Sequence, residues 1–155
     1  MQVGSRQFVA DDQGRIVLPP VVDNVSRRAI ISDGKIAEQL KFRHLRETYR
    51  LEAGIHVDPT QLLSGGRAEL LIRPRLMLGQ TPIDPATLTE LVVRMEATDL
   101  SGVPITHQID DLRLDQNSEL VVPLRVPPRL ATLRVVLIGK IARIADDQQL
   151  TLQTR

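Results

Sequence analysis

Between Arg67 and Leu78 the chain alternates with a period of two. Ala68, Leu70, Ile72, Pro74, Leu76 and Leu78 fall on one side. Arg67, Glu69, Leu71, Arg73, Arg75 and Met77 fall on the other. Successive side chains of a strand point to opposite faces, so this run is predicted to be a half-buried strand with one wet face. Comparable runs follow. Residues 90–98 set Leu91, Val93, Met95 and Ala97 against Arg94, Glu96 and Thr98. Val103, Ile105 and Ile109 alternate around His107, and residues 119–126 place Leu120, Val122, Leu124 and Val126 on one face. Leu133, Val135, Leu137 and Ile141 mark a strand at 132–144, and a last strand is expected at 149–154. Strands at this spacing, parted by proline and glycine turns, predict a sandwich or barrel.

The N-terminal third reads less uniformly. Arg6–Ala10 and Arg15–Leu18 frame Asp11-Asp12-Gln13-Gly14, a turn sequence, so a hairpin is predicted over 6–18 and ends at Pro19-Pro20. Residues 27–33 form a short strand closed by Asp33-Gly34. Residues 35–51 fit two patterns, and the expectation is a helical turn at 35–40 followed by a strand near 47–57. Asp58-Pro59 and Asp84-Pro85 each carry an N-cap followed by a proline at the first helical position, which predicts a single short turn of helix at each.

The expected fold is therefore all-β: an antiparallel β-sandwich of about seven to ten strands, with an N-terminal hairpin region and only short helical turns. Residues 1–45 are expected to form that hairpin region, packed on a sandwich of residues 46–155 as one structural unit. Val136, Ile138, Ala142 and Ile144 make the second face of strand 132–144 apolar as well. A strand apolar on both faces is usually covered on both, and residues 1–45 are the expected cover. The rival expectation is an interface with a neighbouring domain or subunit.

Composition narrows the function. The chain has 155 residues, 42% hydrophobic and 25% charged, which suits a single folded domain. Its aromatic residues are Phe8, Phe42 and Tyr49, so the core must be aliphatic and stacking on bases or sugars has little to use. A net charge of +1 gives no electrostatic case for nucleic acid or an anionic membrane. The absence of cysteine excludes disulfides, thiolate metal sites and thiol catalysis. Residues 1–15 lack the apolar region of a signal peptide, and the apolar run Val135–Gly139 is far too short to span a bilayer. If the chain is an excerpt of a longer precursor, an extracytoplasmic setting is the expectation.

No residue pattern points to catalysis or to a cofactor. His44, His56 and His107 have no partner at helical ligand spacing, although His56 and Asp58 are close enough to share a strand face. The pairs Asp11-Asp12, Asp110-Asp111 and Asp146-Asp147 sit where turns are expected, without a convergent calcium loop. No serine lies in a nucleophile elbow, and Gly65-Gly66 precedes a strand and lacks a phosphate-loop ending. The arginine stripe Arg67, Arg73 and Arg75 is the one candidate partner-binding feature, suited to an acidic surface. The same stripe also serves as a solvated, edge-protecting face.

Two resemblances follow from particular residues. Residues 7–19 (QFVADDQGRIVLP) resemble the hairpin opening of the swapped-hairpin transition-state regulators, a bacterial DNA-binding family with a D-x-x-G-R-I-x-L-P core. Most of the chain has no place in that domain. Over the whole chain, the order D-x-x-G-R-I-x-L-P, I-I-S-D-G, Y-R-L-E-A-G, L-R-V-P-P-R-L and V-V-L-I-G-K resembles the immunoglobulin-like sandwich domains of macroglobulin type in large bacterial surface proteins. That resemblance implies a non-catalytic structural or protein-binding module of a larger surface or secreted protein. It carries over no functional residue, and the macroglobulin thioester is absent because there is no cysteine. The expected partners are a protein or neighbouring domains, with no nucleic acid and no membrane insertion, and the expected state is a monomer. An enzyme domain and a DNA-binding regulator are the alternatives, the latter resting only on the 7–19 hairpin.

Overall fold

Arg67–Leu78 forms one continuous strand in the computed structural model, which describes residues 1–154. In chain order the strands are β1 (Gln2–Val3), β2 (Arg6–Gln7), β3 (Val25–Ser32), β4 (Ala37–His44), β5 (Tyr49–Val57) and β6 (Arg67–Leu78). They continue with β7 (Thr81–Ile83), β8 (Thr89–Asp99), β9 (Pro104–Leu112), β10 (Leu120–Arg125), β11 (Leu130–Ala142) and β12 (Gln149–Gln153). The only helical elements among the described residues are two 3₁₀ turns, Pro59–Gln61 and Pro85–Thr87. Each starts as its sequence implies. Asp58 and Asp84 accept backbone N–H groups two residues on, at 2.9 and 2.8 Å, and proline takes the first helical position.

Contact density divides the chain into two units, Met1–Thr48 with Arg143–Gln148, and Tyr49–Ala142 with the segment from Gln149 onward. The larger unit is an antiparallel sandwich. One sheet runs β10-β6-β5, with β7 also paired to β6; the other runs β12-β11-β8-β9. Four strands supply most of the core: Leu70, Ile72 and Leu76 from β6, Leu91, Val93 and Met95 from β8, Leu120, Val122 and Leu124 from β10, and Leu137 and Ile141 from β11 are all buried in one cluster. The cluster is aliphatic apart from Met95, as the scarcity of aromatics requires. Met77 alone breaks the inside–outside division of β6, lying buried on the side that carries the arginines.

Pro74 sits in a central strand, where a missing N–H would normally break a ladder. Its position explains why it is tolerated. On one side of β6 the pairing with β10 ends at Ile72 and that with β7 starts at Leu76, so Pro74 lies in the gap between them. Two bulges shape the other sheet. Glu90 and Leu91 lie opposite the single residue Gly139, and Glu90 takes the extra turn with φ at +49°. A Cβ on Gly139 would meet Leu91 Cδ2 at 3.0 Å, so glycine permits the close approach. Asp110 and Asp111 lie opposite Val92, with Asp111 at φ +53°. The Asp110-Asp111 pair is therefore a bulge within β9 and not the turn its composition suggested. Thr154 extends the pairing of β12: its N–H reaches the Leu137 carbonyl at 2.9 Å and its hydroxyl accepts the Leu137 N–H at 3.0 Å.

The smaller unit has the sheet order β2-β1-β3-β4. Three expectations fail here. Residues 37–44 are strand, so the helical turn expected at 35–40 is absent; β4 is fixed by its register with β3, from Ser32↔Ala37 to Val25↔His44. The hairpin expected over 6–18 is reduced to its turn. Asp11 N–H donates to Arg15 O at 2.8 Å, but Phe8–Leu18 form no strands, and β2 pairs with β1 instead. Strand 132–144 ends at Ala142, and Ile144, exposed to 66%, belongs to this smaller unit. Glu47 holds that segment. It is 6% exposed and accepts the N–H groups of Ile144 and Ala145 at 2.8 Å each, while its own N–H donates to Val21 O.

Within the 132–144 expectation, Val136 and Leu137 are both buried, Ile138 is half-buried and Ala142 is exposed. The Asp turns carry depressed carboxyl pKa values. Hydrogen bonds from the Ile36 and Lys35 N–H groups hold Asp33 below its usual 3.8, the Thr60 hydroxyl and N–H do so for Asp58, and the Arg143 guanidinium does so for Asp146.

Truncating Leu137, fully buried between the sheets, to alanine should cost about 2–5 kcal/mol in chemical denaturation. Truncating Arg73, whose side chain is 68% exposed, should cost less than about 1 kcal/mol. Equal losses would mean that the two faces of the sandwich are assigned wrongly.

A carboxylate whose folded pKa is depressed stabilises the fold above its unfolded pKa, and that contribution is lost as pH falls through the folded value. Thermal stability should therefore drop on acidification below about pH 4. The triple variant Asp33→Asn, Asp58→Asn, Asp146→Asn keeps the acceptors and removes the titration, so its stability should change less over the same range. Identical acid profiles would show that these turns contribute nothing.

Candidate functional interface

Arg67, Arg73 and Arg75 all lie on the outward face of β6, as alternation requires, but they do not form one basic patch. Arg73 pairs with Glu119. Arg75 stands across from Glu52 in β5, and Glu52 accepts Arg50 Nε at 2.7 Å. Arg73 is thus paired, and Arg75 lies beside a carboxylate already engaged by Arg50. Arg67 differs. Its cross-strand neighbour is Arg125 of β10, both are exposed, and among the described residues no ion pair engages either. Like charges placed directly opposite on a sheet repel.

That arginine pair stands at the lip of a groove. β9 and β10 each end their sheet, and they are not paired with one another. Between them opens a cleft of about 560 Å³ lined by Met95, Ala97, Ile105, His107, Leu124 and Pro128, among others. A second hollow, lined by Arg67, Glu69, His107, Ile109, Pro123 and Arg125, continues it along the same seam. His107, Leu124 and Arg125 belong to both.

Register explains the lining. Ile105, His107 and Ile109 of β9 stand opposite Ala97, Met95 and Val93 of β8, which face the core, so this side of β9 overhangs the seam. Ile105 is 45% exposed there. Gly65 N–H donates to Val126 O, and Val126 N–H donates to Gly66 O, which fastens the turn before β6 to the end of β10. A side chain at Gly66 would place Cβ 2.8 Å from Leu63 O, so that fastening requires glycine.

The two edges differ in what they offer. β10 carries Pro123 within it and is followed by Pro127-Pro128, which remove backbone donors from that rim. β9 runs from Pro104 to Leu112 with proline only at its first position. Six of the residues from Pro104 to Leu112 before the bulge pair are available as a nearly continuous, exposed strand edge, and such an edge accepts a further strand.

The histidines do not converge. His44 lies 5.8 Å from Phe42 by ring centroids, His56 stands opposite Leu71, and His107 overhangs the seam. Asp58 uses its carboxylate to cap the 3₁₀ turn. Among the described residues no cluster of three or more His, Asp or Glu side chains has the arrangement to hold a metal ion, and no helix is long and apolar enough to cross a membrane. Sequence reasoning identified Arg67 but missed Arg125 and the groove. The usable signal was the apolar alternation of Ile105 and Ile109 around His107 in a segment with no further proline.

Two facing antiparallel sheets of four strands each, one running β10-β6-β5 with β7 beside β6 and the other β12-β11-β8-β9, define an immunoglobulin-like sandwich domain. The chain belongs to the family described as the AbpF third immunoglobulin-like domain, whose model matches residues 58–155. It is also similar to Actin-binding protein F of Dictyostelium discoideum, at 28% identity over 97% of this chain. The chain spans 7% of that relative's length. No solved structure matches it. The immunoglobulin-like class agrees with the resemblance carried by the sequence. The bacterial setting implied alongside it gains no support from a Dictyostelium relative.

Proposed function

We propose that the chain is a non-catalytic protein-binding module of a larger protein, and that the partner belongs to the actin cytoskeleton. The observation that carries the reading is the β9/β10 seam, where apolar side chains and an unpaired basic lip lie open side by side. Its titratable groups do not converge on a point where a reacting atom could sit, which speaks for binding over catalysis. The kind of partner is supported by the printed name of the relative, an actin-binding protein. The small share of that relative spanned by this chain favours a second role as a spacer between neighbouring domains.

Purified chain should pellet with actin filaments in a saturable manner, and pelleting should weaken as salt rises because the lip is basic. A well-folded chain that stays in the supernatant at every salt concentration would remove direct filament binding and leave the spacer role.

A further inference from the structure

We infer that the β9/β10 seam binds an extended acidic peptide segment, which adds as a strand to the free edge of β9. This deepens the protein-binding reading above and rests on it. Three observations converge on that occupant.

The first is backbone chemistry. β9 is paired on one side only, with β8, so its other edge presents unpaired N–H and C=O groups. An added strand satisfies such groups; a globular surface cannot do so along the whole edge. Pro123 and Pro127-Pro128 make the opposite rim a poor template, which assigns the added strand to β9.

The second is the period of the groove. An added strand turns alternate side chains toward the seam, about 7 Å apart. The seam offers Ile105 and Ile109 on β9, with Met95, Ala97 and Leu133 beneath the cleft. Small or medium apolar residues at every second position of the peptide fit that floor.

The third is charge. Arg67 and Arg125 face each other as cross-strand neighbours with no ion pair among the described residues. Arg129, exposed and at φ +58°, follows Pro127-Pro128. Among the described residues Glu69 is the only carboxylate lining the seam. A carboxylate on the peptide placed beside Arg67 and Arg125 would relieve their repulsion and set the register. Arg73 and Arg75 are not part of this interface: neither lines the seam, and Arg73 is paired with Glu119.

The test uses the full chain, isotope-labelled, and two synthetic octapeptides. One alternates valine with glutamate and threonine; the other has lysine in place of glutamate. The acidic peptide is expected to shift and protect the amides of residues 105–110, and the lysine peptide is not. Arg125→Glu should weaken the acidic peptide about tenfold and admit the lysine peptide. Ile105→Asp, at an exposed edge position that the fold tolerates, should weaken the acidic peptide without admitting the lysine peptide. Shifts confined to the β5/β12 side, or no binding of either peptide while actin pelleting persists in Ile105→Asp, would overturn the seam as the site and leave the protein-binding reading standing. A dimer of the free chain that Ile105→Asp dissociates would assign the seam to a second copy and overturn the peptide. Loss of both peptide binding and actin pelleting in a well-folded wild-type chain would overturn the two readings together.

Discussion

The sandwich rests on removing one apolar face of each sheet from water, using almost nothing but aliphatic side chains. Leu70, Ile72, Val93, Val122 and Leu137 are each at most 1% exposed, and they come from four different strands of two sheets. Their burial supplies a large favourable term of about 25 cal/mol per Å² and depends on dense packing between the layers. Aliphatic residues bring no polar atoms with them, so the core needs no internal hydrogen-bond network. Thr154, the buried polar residue of this unit, is satisfied by the Leu137 backbone. The remaining features of the larger unit follow from keeping those inward faces in register.

The bulges show how that register is kept where the chain would otherwise drift. Opposite Gly139, the extra residue Glu90 lets Leu91 return to the inward face in step with Val93 and Met95. At Asp110-Asp111 a second extra residue lets β9 resume its pairing with β8 at Leu112, opposite Leu91. Prolines fall where no ladder needs their N–H, as Pro74 shows. Of the two edges that flank the seam, β9 carries fewer prolines than β10.

Legibility in the sequence tracked burial. The strand at 67–78 was readable to the residue, and those at 90–98 and 119–126 nearly so, because one buried face imposes a strict period of two. The smaller unit was less readable for the same reason. Ala37–His44 carries Leu40 and Phe42 among Glu38, Gln39, Lys41 and Arg43, too few apolar residues to show a period. Its strand state comes from pairing with β3, which is a contact across the chain. Asp11–Gly14 signalled its turn correctly, since a turn is local, but the flanking residues had no buried face to make them pair. The Asp110-Asp111 bulge looked like a turn because both conformations favour the same residues. Arg67 was legible as a charge on a wet face. Its lack of a counter-ion was not, because Arg125, fifty-eight positions away, became its neighbour only through the β6–β10 register.

The sequence by itself determined the class of fold: an all-β sandwich with an aliphatic core, short capped turns at Asp58-Pro59 and Asp84-Pro85, and no cysteine to form a disulfide. These properties depend on residue type and on spacing within a dozen positions. Only the tertiary structure decided that β9 and β10 would be neighbouring edges, that Arg73 would meet Glu119 while Arg67 would face Arg125, and that Glu47 would hold Ile144 and Ala145. Each of those depends on which strands meet. Strand order is set by the packing of whole faces against each other, and no local pattern along the chain records it.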